Sequence, residues 1–307
     1  MRVAAASAVA SCLLAVGCGG STDEPAPSGA TPGTDATLEE LWRAPGDDVA
    51  VIPGTASHLP GDVRVSFLVV DAESRPIVYP TARVWVARGL DAVPFLESAA
   101  KLERIGVPGG AEADATHVYV AHLRLPSAGT YWMLAEPEGG VKLQALGNVV
   151  VAESDAPPDV GEAAPESETP TLAAVGGEAS RITTRVPPDE TLLRHSVAES
   201  IRLRVPFVVT FSTPKFCESR TCGPVVDVVE EVARRFDGED VRFIHVEVYE
   251  DNDPAKGYNR WMQEWGLTTE PWTFVVGADG KVVDRYEGVV SVKELEEAVG
   301  ELLDGGG

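Results

Sequence analysis

The sequence predicts two folded regions of different class: an all-β sandwich over residues 47–152 and an α/β domain over residues 185–304. Three observations lead to this prediction. The chain has 307 residues, of which 44% are hydrophobic, and this is enough for about two globular domains. The first half alternates apolar and polar residues at the period of a strand, as in residues 63–71. The second half contains the continuous apolar run 206–212, typical of a strand buried on both faces, followed by a segment of helical period.

The charge of the chain argues against a nucleic-acid partner. There are 48 Asp and Glu residues against 25 Lys and Arg, so the formal net charge is -23. A surface of this sign repels phosphates, and the longest Lys/Arg run is only Arg234-Arg235. We therefore expect no nucleic acid among the partners.

The first 18 residues predict a lipoprotein signal peptide. Arg2 supplies a positive start, residues 3–14 are apolar, and residues 15–17 are small and stand directly before Cys18. This arrangement resembles a bacterial lipobox, although the family usually has Leu where Ala15 stands. The resemblance implies acylation of Cys18 and a lipid anchor at the extracytoplasmic face of the bacterial cell membrane. An ordinary secretory signal is the alternative.

The signal peptide also changes the cysteine count of the mature protein. Cys12 lies inside the signal and Cys18 would carry the lipid, so Cys217 and Cys222 would be the only remaining thiols. In an oxidising compartment, such a pair is most simply one disulfide. Residues 19–46, rich at first in Gly, Pro, Ser and Thr, would form a flexible tether.

Five short strands are predicted between residues 47 and 152, separated by turn-rich pieces. Their ranges are 63–71, 81–88, 116–125, 129–135 and 141–151. Strands at this spacing are typical of an antiparallel sandwich. Gly129 and Tyr131 resemble the start of a late strand in immunoglobulin-like domains, where a tyrosine hydroxyl pins a corner. The resemblance implies an immunoglobulin-like domain that would serve as a spacer or a docking module.

An acidic, Pro-rich linker is predicted at residues 153–184. Residues 153–178 include seven acidic residues and no basic one, with prolines at 157, 158, 165 and 170. This composition is typical of a solvated spacer, so the two flanking domains are expected to be separable.

The second domain is predicted to run in the order helix, strand, helix, strand, helix, strand, strand, helix. The ranges are 192–203, 206–212, 224–236, 241–249, 252–266, 272–276, 281–288 and 291–303. Asp279-Gly280 is a hairpin turn between the last two strands. Ser291 and Glu294 form a capping box that begins the terminal helix.

A pair of cysteines lies between the first of these strands and its helix. Cys222-Gly223-Pro224 is similar to the Cys-Gly-Pro that opens the active helix of the thioredoxin family, and the resemblance covers about 120 C-terminal residues. The family spaces its two cysteines by two residues, whereas four residues separate Cys217 from Cys222 here, and Val225 stands where the family has its second cysteine. The resemblance implies a thioredoxin-like fold.

The segment Glu270-Pro271-Trp272 matches the position of the family's cis-proline, which lies beside the cysteines. Glu270 replaces the small or β-branched residue that is common before this proline. The resemblance implies that Pro271, Glu270 and Trp272 contact an extended substrate chain.

The resemblance further implies thiol–disulfide exchange with extracytoplasmic protein thiols and disulfides, with Cys217 and Cys222 as the catalytic residues. Exchange needs a thiolate that attacks a disulfide sulfur and a second thiol that resolves the mixed disulfide. Family analogy assigns the attack to Cys217, whereas the start of a helix would favour a thiolate at Cys222; both assignments stay open. No diffusible cofactor is required and no metal ligand is assigned.

Two other functions stay open. One is a redox-inert binding module in which the cysteines form a structural disulfide. The other is a copper carrier, because the loop also resembles Sco-type copper chaperones, in which two cysteines and one histidine bind the metal. His245 is the only histidine after the cysteines, and its place on a predicted strand argues against this role.

Overall fold

The computed structural model describes residues 33–112, 115–139, 143–217 and 221–305. The predicted signal peptide with Cys12 and Cys18 lies outside the described residues, as does the first part of the predicted tether. Within the described ranges, no helix combines the length and the apolar character that crossing a membrane requires.

The first seven strands form a closed barrel. Their bounds are β1 (Asp47–Pro53), β2 (Gly61–Val70), β3 (Thr81–Ala87), β4 (Leu96–Arg104), β5 (His117–Leu125), β6 (Gly129–Pro137) and β7 (Leu143–Val151). The strand order is β1-β2-β5-β4-β3-β6-β7, and β1 closes the barrel by pairing in parallel with β7. A short helix, α1 (Leu38–Trp42), precedes the barrel and buries Leu38 against Trp85 and Leu134.

The prediction of an immunoglobulin-like sandwich is therefore wrong. The pairing of β1 with β7 joins the two ends of one sheet, so there are no two separate layers. Side chains still alternate as predicted along β2, where Val63, Val65, Phe67 and Val69 all point into the barrel core. A sandwich and a barrel share this period of two, so the pattern cannot distinguish them.

The Tyr131 hydroxyl donates a hydrogen bond to the Ser127 carbonyl at 2.7 Å, and this bond fixes the corner before β6.

A second, smaller sheet follows the barrel. Its strands are β8 (Phe207–Phe211), β9 (Arg242–Val246), β10 (Trp272–Val276) and β11 (Val282–Glu287), in the order β11-β10-β8-β9. The β8–β9 pair is parallel, and the other two pairs are antiparallel. The α-helices of this region are α2 (Val197–Leu203), α3 (Cys222–Arg235), α4 (Arg260–Glu264) and α5 (Val292–Leu303).

The prediction of an α/β thioredoxin-like domain is also wrong, because the sheet is small and its helices are few. The predicted helix 252–266 does not form as one element. Two 3₁₀ turns and the five-residue α4 occupy this range instead. Asp251 and Asn252 have φ values of 51° and 56°, in the left-handed region, and this interrupts a right-handed helix. Gly257, with φ of 76°, ends the second 3₁₀ turn before α4 begins.

The acidic, Pro-rich segment lies on the second sheet instead of running through solvent. The Gly161 N–H donates to the Val282 carbonyl at 2.8 Å, and the Val282 N–H donates to the Glu162 carbonyl at 2.9 Å. These bonds hold the segment along the start of the outer strand β11. Further on, Ser167 is buried and its hydroxyl accepts the indole N–H of Trp265 at 3.2 Å. The solvated spacer expected from the composition is thus a packed part of the fold.

The barrel and the second sheet share a core. Val118 and Val120 of β5 belong to the same apolar cluster as buried residues of α3 and α5. Beside this cluster, Arg64 of β2 forms an ion pair with Glu294 of α5 at 2.7 Å, and these side chains are only 10% and 13% exposed. Burial favours the neutral form of Glu294, but Arg64 and the hydrogen bonds from Ser291 together outweigh this effect and lower the pKa of Glu294.

Candidate functional site

Both cysteines are tied to the end of β8. This strand is apolar except for Thr210 and is buried along its whole length, so the position of its end is set by the core. The Cys217 N–H donates to the Thr213 carbonyl at 3.2 Å, and the Ser212 hydroxyl donates to the Cys222 carbonyl at 3.0 Å. The loop residue Cys217 and the first helical residue Cys222 are therefore held over the same strand end.

The two sulfurs have different surroundings. Both cysteines are present as thiols, but Cys217 is half-buried whereas Cys222 is completely buried. The backbone N–H of Cys222 donates to the Cys217 sulfur at 3.4 Å. This N–H belongs to the first turn of α3, where amides have no partner within the helix and the helix dipole favours negative charge. The hydrogen bond with Cys217, and then burial, raise the pKa of the Cys222 thiol well above its ordinary value.

Glu270 is the third ionisable group at this point. It stands two residues before β10, and its peptide bond to Pro271 is cis. A carboxylate oxygen of Glu270 and the sulfurs of Cys217 and Cys222 all lie within 4.8 Å of one another. The Tyr258 hydroxyl donates to Glu270 at 2.8 Å. Burial, and then this bond to the carboxylate, raise the pKa of Tyr258, so it remains a hydrogen-bond donor near neutral pH.

A row of aromatic rings extends from Cys217. Phe216 meets Tyr249 edge to face with 6.4 Å between ring centroids, and Tyr249 stacks on Tyr258 at 5.5 Å. All three side chains are partly exposed, so the row offers apolar surface beside the accessible sulfur. An isolated bridge pairs Tyr249 with Tyr258 across the turn between them. No local sequence pattern indicates this pairing; only the two tyrosines on either side of the Asn-Asp-Pro turn could have suggested it.

Two of the three predicted substrate-binding residues are buried. Pro271 is buried, and Trp272 is only 2% exposed, stacked on Phe274 at 5.5 Å with its indole N–H bonded to Thr269. Trp272 therefore packs in the core of the second sheet. Of the three, Glu270 alone presents a half-buried polar group at the thiols.

His245 is not part of the thiol cluster. It is buried in β9, with Nε2 3.0 Å from the Ser212 carbonyl oxygen and Nδ1 3.4 Å from the Thr183 hydroxyl. Burial lowers the pKa of His245, so the ring is neutral and Nε2 donates to the carbonyl. Across the described ranges, the one set of three close Cys, His, Asp or Glu ligands contains both cysteines and Glu270 but not His245. The third ligand required by a Sco-like copper carrier is therefore not supplied by His245.

The barrel contacts the first turns of α3, the helix that begins at Cys222. In the loop between β4 and β5, the Ala111 N–H donates to the Asp227 carboxylate at 2.5 Å. A Cβ atom added at Gly106 would lie only 3.1 Å from the Pro224 side chain, two residues beyond Cys222. Asp227 also forms an ion pair with Arg185. These contacts join residues far apart in the chain, and no sequence motif indicates them.

A large cleft lies elsewhere among the described residues. It has a volume of about 1480 Å³ and runs between the barrel and the second sheet. Its walls carry charges of both signs, including Lys101, Glu103, Lys293 and Glu297, but neither cysteine. The thiol site is therefore not part of this cleft.

Comparison with known proteins gives only weak similarities. No protein family model matches the chain, and no curated protein matches its sequence. Among solved structures, the chain is similar to a thiol:disulfide interchange protein of the thioredoxin family from Chlorobium tepidum TLS. That match has 18% identity and a TM-score of 0.28, and it covers 34% of this chain and 84% of that one. A second match, to the bacterial hydrophobin BslA, has 13% identity and a TM-score of 0.18, over 34% of this chain and 98% of that one.

Proposed function

We propose that this protein exchanges thiols and disulfides with protein substrates through Cys217 and Cys222. The observation that supports this function is the inequivalence of the two neighbouring sulfurs. Cys217 is accessible and accepts a hydrogen bond from the first turn of α3, whereas Cys222 is buried and remains protonated beside it. An accessible thiolate next to a protected thiol is the arrangement that exchange requires.

In this proposal Cys217 is the nucleophile. Its thiolate attacks one sulfur of a substrate disulfide, a bond forms between Cys217 and that sulfur, and the other substrate sulfur leaves as a thiolate. Cys222 then loses its proton, attacks the Cys217 sulfur and releases the substrate's first sulfur. The substrate has gained two electrons and the protein has become a Cys217–Cys222 disulfide, which a dithiol reductant must restore. The same steps in reverse oxidise a substrate dithiol.

Glu270 and the aromatic row have roles in this scheme. A carboxylate oxygen of Glu270 lies within 4.8 Å of the Cys222 sulfur, so Glu270 is placed to accept the proton that Cys222 loses. Phe216 and Tyr249 give apolar surface beside Cys217 for side chains that flank the substrate disulfide.

The location of the protein is a separate proposal that rests on the sequence. The lipobox-like residues 15–18 support acylation of Cys18 and attachment to the extracytoplasmic face of the cell membrane. Replacing Cys18 by Ala should move the protein from the membrane fraction to the soluble fraction. Equal membrane association of both forms would rule out this anchor.

Two single mutants test the exchange function. Cys222→Ser should accumulate mixed disulfides with substrate proteins, because the intermediate loses its internal resolving thiol. Cys217→Ser should trap none, and its remaining thiol should alkylate more slowly because Cys222 is buried. Both mutants are compared after alkylation in cells and non-reducing electrophoresis, with the double Ser mutant as the control. The absence of trapped substrate from both single mutants, with equally slow alkylation, would favour a redox-inert module instead.

A further inference from the structure

We propose that the reduced protein binds one Zn²⁺ ion through the sulfurs of Cys217 and Cys222 and a carboxylate oxygen of Glu270. The sequence separates Glu270 from the cysteines by about fifty residues, and only the fold brings the three groups together. The proposal requires the two reduced thiols and Glu270, and it holds whether or not the protein exchanges disulfides.

The spacing of the three ligand atoms suits a tetrahedral metal. With Zn–S bonds of about 2.3 Å and Zn–O bonds of about 2.1 Å, a tetrahedral ion places its ligands about 3.6 to 3.8 Å apart. The three atoms already lie within 4.8 Å of one another, so each separation needs to close by about 1.2 Å at most. Cys217 and Glu270 are half-buried and leave a path to solvent, while Cys222 supplies the ligand at the bottom of the site.

The charges of the three groups also favour a cation. Two thiolates and a carboxylate this close together would repel one another. A divalent ion removes the repulsion and allows both sulfurs to lose their protons, which pass to solvent on binding. The Tyr258 hydroxyl donates to Glu270 and fixes its carboxylate, as groups around metal ligands commonly do.

The mixture of donor atoms selects the metal. Two soft sulfurs alone would suit Cu(I), but a carboxylate oxygen is a hard donor. Zinc, which is of intermediate softness, accepts Cys sulfur and Glu oxygen together. Three protein ligands also leave a fourth tetrahedral position open, as in zinc sites that keep a water molecule or a substrate. The geometry therefore points to zinc rather than copper.

Zinc titration of the reduced full-length protein tests the site. The reduced protein, freed of excess reductant under argon, is titrated with Zn²⁺ alone in competition with a chromophoric chelator. We expect one Zn²⁺ per chain, and binding at least tenfold weaker after the two cysteines have been oxidised to a disulfide. No binding by the reduced protein, or equal binding by both forms, would overturn the proposal.

Variants then identify the ligands. Glu270→Gln should weaken binding at least about tenfold, because loss of even a supporting group costs that much at metal sites. Glu270→Asp keeps a carboxylate and should recover part of the affinity, whereas Glu250→Gln, a change at an exposed glutamate outside the ligand set, should have no effect. Cys217→Ser should abolish measurable binding. Equal affinity of Glu270→Gln and the wild type would overturn the three-ligand site.

A second measurement guards against misfolded variants. With Co²⁺ in place of Zn²⁺, the thiolate-to-metal absorption band should persist in Glu270→Gln while the metal-centred bands change, because both sulfurs remain and the oxygen is lost. Unchanged metal-centred bands would exclude Glu270 as a ligand. Exchange is assayed separately on the metal-free protein, so loss of zinc binding with intact exchange refutes this site alone, and the reverse result refutes exchange alone.

Discussion

The barrel and the second sheet are both built around apolar strands, yet among the described residues the candidate thiol site lies beside the second sheet. In the barrel every strand is paired on both sides, and its interior is filled by apolar side chains. In the second sheet, β8 ends inside the molecule and leads through a short loop into α3. The start of that helix leaves backbone N–H groups without helical partners, and one of them bonds the Cys217 sulfur. The candidate site thus lies where the regular backbone pairing stops.

Breaking the buried Arg64–Glu294 ion pair tests whether the barrel and the second sheet unfold as one unit. Arg64→Ala leaves Glu294 buried and unpaired, and breaking such a pair costs about 3 to 5 kcal/mol of unfolding free energy. Because the regions share a core, we expect urea denaturation to show a single transition at a lower midpoint. Arg124→Ala is the control. The side chains of Arg124 and its partner Asp62 are 68% and 59% exposed, so losing this pair should lower the free energy of unfolding by about 1 kcal/mol at most. Two separate transitions would show that the regions unfold independently.

Two glycines in one barrel loop test whether the barrel supports the thiol site. Gly106 and Gly109 both have positive φ, 68° and 78°, so Ala at either position should cost about 1 to 2 kcal/mol through backbone strain. Only Gly106 faces Pro224, at 3.1 Å from an added Cβ, whereas nothing lies within 4 Å of one at Gly109. Gly106→Ala should therefore displace the start of α3 and change the alkylation rate of Cys217. Equal alkylation rates in both variants would indicate that the barrel contact does not affect the thiols.

Acid should weaken the ion pair between Arg64 and Glu294, and its effect on stability should be smaller than that of the substitutions above. The pKa of Glu294 in the folded protein is lowered, so its stabilising contribution is complete above its unfolded value of about 4.3 and is lost as pH falls through the folded value. The thermal midpoint of the wild type should fall more steeply than that of Glu294→Gln between about pH 5 and pH 3. Parallel curves for the two proteins would show that this pair does not contribute to acid sensitivity.

The second sheet was more predictable than the barrel because its signals are local. Strand 272–276 is observed at its predicted position, and the Ser291 capping box begins α5 as expected. Barrel closure depends instead on β1 pairing with β7, which lies more than ninety residues along the chain, and no local pattern encodes that contact. At the site, the cysteine pair is evident in the sequence, whereas the bond from Tyr258 to Glu270 depends on how the chain folds back on itself.

The acidic, Pro-rich segment has a consequence for solubility. The start of β11 would otherwise present open hydrogen-bonding groups to other molecules, and such edges promote aggregation. The segment pairs with this edge through Gly161 and Glu162, while Pro157, Pro158 and Pro165 have no N–H to offer to a further strand. Its negative charges also repel a second copy of the chain. A composition that is typical of a spacer therefore also suits a cover that keeps neighbouring molecules from adding to the sheet.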